Sequence, residues 1–89
     1  MKTIWKFQFE VDDNIEIEMP MGAEILTVGI QHGIPCLWAL VDTEKDKIKR
    51  KFELYGTGHP VSERHKKYIG TFQTREGYLV FHLFEQSFI

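Results

Sequence analysis

Hydrophobic residues recur along this chain with a period of two rather than 3.6. Trp5, Phe7, Phe9 and Val11 alternate with Lys6, Gln8 and Glu10, and Ile15, Ile17 and Met19 alternate with Glu16 and Glu18. Each set predicts a half-buried strand with one inward face. Asp12-Asp13-Asn14 supplies turn residues between the two, and Pro20-Met21-Gly22 ends the second. Residues 25–31 and 36–42 are nearly continuous apolar runs, which predicts two central strands covered on both faces. Between them Gln31-His32-Gly33-Ile34-Pro35 predicts a tight reversal. Residues 47–55 alternate again, Lys47, Lys49 and Lys51 against Ile48, Phe52 and Leu54. Arg50 interrupts that apolar face, so this strand is expected to start outside the core and enter it later. After one long connection, residues 68–73 and 78–85 predict a final hairpin around Arg75-Glu76-Gly77, its second strand central.

No segment carries a capped helical pattern, and residues 63–68 have room for at most one short helical turn. About seven mostly antiparallel strands with hairpin links predict an all-β fold, a small sandwich or barrel. The chain has 89 residues, enough for a single β-domain over 1–89. So short a chain buries only about 60% of its unfolded surface, which makes its seven Phe, three Tyr and two Trp mostly core residues. Oligomerisation is a second route to burial for a domain of this size, and a homo-oligomer is expected.

The longest stretch without charge, Ile25 to Val41, contains Gln31, His32, Gly33 and Pro35, so no membrane partner is expected. No secretory leader is recognisable, and the lone Cys36 cannot close an internal disulfide; a cytoplasmic location is expected.

The net charge of −2 hides an uneven distribution. Residues 1–42 hold two Lys against seven acids, whereas residues 43–75 hold nine Lys or Arg against four. Solvated strand faces explain this, and so does an anion-binding face opposite an acidic one. The basic run Lys45, Lys47, Lys49, Arg50 and Lys51 resembles a single-strand nucleic-acid surface. The sequence pI of about 6.0 and the interspersed acids argue against nucleic acid as the partner.

The stretch Tyr55-Gly56-Thr57-Gly58-His59-Pro60 is the candidate ligand-binding loop. Two glycines flanking Thr57 at a strand end allow backbone N–H groups to converge on an anion, and Arg64, His65, Lys66 and Lys67 follow. The ligand-binding candidates are therefore Tyr55, Gly56, Thr57, Gly58, His59, Arg64, Lys66 and Lys67. The alternative is that Gly56 and Gly58 merely serve a turn or bulge. No His or Cys pair has zinc-site spacing, and no metal or cofactor is expected. Cys36 sits in a core-like strand as an inert thiol, and His82 reads as a hydrogen-bonded histidine in or beside the core. The acid pairs Asp12-Asp13 and Glu16/Glu18 fall in a turn and on an exposed face, so no catalytic carboxyl is expected.

The motifs Thr3-Ile4-Trp5-Lys6, Ile17-Glu18-Met19-Pro20, Pro35-Cys36-Leu37-Trp38-Ala39-Leu40-Val41-Asp42, Tyr55-Gly56-Thr57-Gly58-His59, Tyr68-Ile69-Gly70-Thr71-Phe72-Gln73 and Leu79-Val80-Phe81-His82-Leu83-Phe84-Glu85 span almost the whole chain. Together they resemble a family of small proteins of unknown function encoded by phages, prophages and bacterial genomes. The resemblance implies a phage or prophage accessory protein and transfers no active site. The expectation is a non-enzymatic binding module whose partner is a host protein or an anionic, nucleotide-like small molecule, held to counter host defence. Two alternatives stand beside it: a self-assembling minor phage structural component, and an enzyme acting on phosphate esters through His59.

Overall fold

The computed structural model describes residues 1–87. Seven strands follow one another: β1 (Lys2–Gln8), β2 (Asn14–Pro20), β3 (Glu24–Gln31), β4 (Ile34–Asp42), β5 (Lys47–Gly56), β6 (Lys66–Thr74) and β7 (Leu79–Gln86). They form two antiparallel sheets, ordered β1-β4-β3 and β2-β5-β7-β6. The period-two pattern places one row of each strand between the sheets. Leu37, Ala39, Val41 and Val28 come from the first sheet, and Ile15, Ile17, Met19, Phe52, Leu54, Phe72 and Leu83 from the second. Phe9 joins them, edge-on to Phe72 at 6.0 Å between ring centroids. The fold is the expected all-β sandwich.

His32 and Gly33 both have positive φ, 52° and 79°, as a two-residue hairpin of the I′ kind requires. The turn is thus tighter than the pattern suggested, and β4 already begins at Ile34. The sheets come closest where β3 passes β6. A Cβ on Gly70 would lie 2.8 Å from Val28 Cγ1, so any side chain there would have to displace the buried Val28.

Three expectations need correction. The apolar run 25–31 is not central, because β3 is an edge strand. A bulge between Ile25 and Thr27 throws Leu26 outward, leaving it 44% exposed. Val11 is not on an inner face. β1 stops at Gln8 and the chain crosses to the other sheet, which leaves Val11 exposed. The short helical turn forms at Arg75–Gly77 rather than within 63–68, where β6 starts at Lys66.

Arg50 belongs to the inward row of β5. It meets Glu85 of β7 through Nε and Nη2, the latter at 2.9 Å from Oε1, and its Nη1 donates to the Ala23 carbonyl at 2.9 Å. The interruption of the apolar face is therefore a paired ion at the corner where the chain passes from β2 to β3. Outside, Glu16 and Glu18 of β2 stand opposite Lys51 and Lys49 of β5. The acidic first half and basic middle of the sequence thus meet as neighbouring rows.

Candidate functional site

The odd positions of β5 face outward, so Glu53 would be expected in water beside Lys49 and Lys51. Instead it is 3% exposed. The connection between β5 and β6, residues 57–65, folds back over the outer face of the four-stranded sheet and closes above this carboxylate. Ser62 Oγ donates to Glu53 Oε1 at 2.9 Å, and the Tyr55 hydroxyl donates to the same oxygen. Arg64 Nη1 lies 3.4 Å from Oε2 and Lys66 Nζ 3.8 Å from Oε1. Two further bonds order the segment: Ser62 N–H donates to the Tyr55 oxygen at 3.2 Å, and Lys66 Nζ donates to the Ser62 carbonyl at 2.7 Å.

Burial alone raises the Glu53 pKa. The hydrogen bonds from Tyr55 and Ser62 and the charges on Lys66 and Arg64 outweigh it, so the group sits below the ordinary carboxylate value of 4.5. The basic cluster after Pro60 therefore encloses an anion that belongs to the protein itself.

The start of the loop is fastened separately. Thr57 Oγ1 is 2.7 Å from His82 Nε2, and Thr71 Oγ1 is 2.9 Å from His82 Nδ1. His82 is half-buried with both ring nitrogens engaged, as its alternation with Val80 and Phe84 suggested. Phe84, next along the same face, packs between Tyr55 and Tyr68 at centroid distances of 5.9 and 5.4 Å.

The candidate residues thus divide. Tyr55, Arg64 and Lys66 converge on Glu53. Thr57 goes to His82, and its N–H points to the Val80 carbonyl at 3.4 Å. The His59 N–H closes a turn on the Gly56 carbonyl at 3.1 Å, with the imidazole lying over Gly56. Gly58 supplies that turn's positive φ of 89°. The His59 ring is exposed and makes no side-chain hydrogen bond among the described residues. Lys67 alternates to the opposite side of β6 and lines a separate concavity with Arg50 and Glu85. A concavity of about 330 Å³ opens beside the loop, lined by Asp13, Asn14, Glu53, Tyr55, His59 and Arg64 among others.

Sequence reasoning overlooked Glu53, which counted there only as a dilution of the basic run. One signal was available. It is an acid flanked by the core residues Phe52 and Leu54, at the foot of the one long connection, and the basic residues after Pro60 need a counter-charge.

Fold and site define a small two-sheet β-domain with a side-chain-fastened loop over one outer face. The family described as Domain of unknown function (DUF7352) matches residues 1–88, and the chain belongs to it. No curated protein and no solved structure matches the chain. No helix among the described residues is long and apolar enough to cross a membrane.

Proposed function

We propose that the domain is a non-enzymatic binding module that engages a partner protein through the loop-covered outer face of the four-stranded sheet. One observation carries this reading: the 57–65 loop is held at both ends, Thr57 on His82 and Ser62, Arg64 and Lys66 on Glu53. A loop so fixed on a rigid sheet loses little entropy when it binds. Its tip presents His59, Pro60 and Val61, and only one nitrogen of Arg64 contacts Glu53, which leaves other N–H donors for an acidic group.

A protein partner is favoured over a free nucleotide-like anion because Glu53 and Asp13 both line the concavity. Two carboxylates there oppose a small anion, whereas a larger partner can reach Arg64 from outside. A phage or prophage origin and a role against host defence belong to the same proposal, supported by the sequence resemblance.

The test places a photo-crosslinking side chain at Val61, which is 51% exposed, and traps partners in bacterial host cells. The trapped protein is then purified and titrated by calorimetry. Arg64→Ala is expected to weaken binding about tenfold, the loss of one charge-assisted hydrogen bond, whereas Lys67→Ala leaves it unchanged. An affinity indifferent to Arg64 overturns the reading. Stabilisation of about 2.7 kcal/mol by a nucleotide at a hundredfold excess over its Kd replaces it with the small-ligand one.

A further inference from the structure

An edge strand leaves alternate backbone N–H and C=O groups unpaired, and the residues that own them decide which second strand fits. In β1 the bonds from Thr43 N–H to the Met1 carbonyl (2.9 Å) and from Phe9 N–H to the Pro35 carbonyl (3.1 Å) fix the alternation. With the β1–β4 register, Thr3, Trp5 and Phe7 turn their backbone groups toward β4. Lys2, Ile4, Lys6 and Gln8 turn theirs outward, and among the described residues no strand pairs with them on that side.

β2 offers the other free edge, and the same reasoning settles its outward row. Leu54 N–H bonds the Asp13 carbonyl at 3.1 Å and Met21 N–H bonds the Asp46 carbonyl at 2.8 Å, so Asn14, Glu16, Glu18 and Pro20 face out. Any antiparallel pairing of β2 with itself that overlaps more than half the strand sets Glu against Glu. Pro20 also lacks an N–H to give. This edge is guarded against its own copy.

The β1 edge is not. Centring a two-fold axis on Ile4 would oppose Lys2 and Lys6, and centring it on Lys6 would oppose that residue to itself. Centring it on Trp5 avoids both. Lys2 then meets Gln8 of the second copy and Ile4 meets Lys6 of the second copy, with the whole strand in register. Each of these pairs exchanges two backbone hydrogen bonds, and Trp5 and Thr3 fall in the closer, non-bonded positions. Trp5 is half-buried and edge-on to Phe7 at 6.3 Å, so the second copy covers aromatic surface that the monomer leaves partly in water.

We infer that two copies of this chain pair antiparallel along β1, about a two-fold axis at Trp5, and join their three-stranded sheets into one. The pairing is isologous and closes at two subunits.

Sedimentation equilibrium of the full chain tests this together with two substitutions at exposed Gln8. The wild type is expected at twice the mass of 10.5 kDa. Gln8→Lys sets like charges opposite each other twice per dimer and is expected to weaken association about fivefold; Gln8→Glu tightens it by a similar factor. A monomer at every soluble concentration overturns the inference. So does a dimer that responds to neither substitution. A mass that grows without limit and collapses on Glu16→Lys identifies head-to-tail pairing of β1 with β2, and overturns it as well.

Discussion

Two carboxylates, the buried Glu53 and the half-buried Glu85, sit on neighbouring strands of the same sheet and do different work. Glu85 lies on the inward row of β7 and takes both arms of Arg50, whose remaining nitrogen holds the Ala23 carbonyl at the corner between the sheets. Every partner in that cluster belongs to a strand or to a tight corner. Glu53 lies on the outward row of β5 and is buried only because a loop covers it. Ser62 and Arg64, two of its four partners, come from that loop. The first carboxylate ties the sandwich together. The second ties a surface segment to a sandwich that is already formed. The difference shows that depth of burial does not reveal what a charged group holds; the origin of its partners does.

The sharpest way to break the comparison is Arg50→Met. It strands the Glu85 carboxylate and the Ala23 carbonyl together, and is expected to cost about 3 kcal/mol in urea unfolding. A loss below about 1 kcal/mol would put both groups in contact with water and remove the contrast. Next comes Glu53→Gln, expected to cost about 2 kcal/mol. Its signature is local: faster hydrogen exchange and proteolysis across residues 57–65, with strand protection kept relative to the lowered global stability. Uniform loss of protection across the sheets would make Glu53 part of the sandwich after all.

Acid sharpens the same point. The folded-state pKa of Glu53 is depressed, so its contribution is complete above the unfolded value of 4.5 and is lost as pH falls through the lower folded one. Asp42, lowered by the Glu44 N–H and the N-terminal amine, titrates in the same direction. The part of the acid limb that vanishes in Glu53→Gln is therefore the part due to the loop, read from urea midpoints against pH. The smallest effect belongs to the exposed pair Glu16–Lys49, 3.6 Å apart, where Glu16→Ala is expected to change stability by less than about 0.5 kcal/mol.

The strand pattern was legible because alternation records which side of a sheet is wet. It predicted the outward Lys47, Lys49 and Lys51, the inward Phe52 and Leu54, and the engaged His82. It failed where a third element intervenes. Apolar residues at 25–31 suggested cover on both faces, yet the bulge at Leu26 let the same composition serve an edge. Glu53 was overlooked for the same reason: it continues the outward row of Lys49 and Lys51, and the loop that covers it is a tertiary event. The basic residues Arg64 and Lys66 were read as candidates to hold an anionic ligand, and the structure sets both beside the carboxylate of Glu53. That the anion is an internal side chain depends on a fold-back that spacing does not encode.

Because side chains at its two ends, rather than ladder pairing along its length, fasten the 57–65 segment, its apex is free of structural duty. A foreign peptide spliced after Pro60 would leave Thr57 on His82 and Ser62 on Glu53. The domain is in that sense a ready-made display scaffold, its graft point lying between two anchors that an insertion leaves in place.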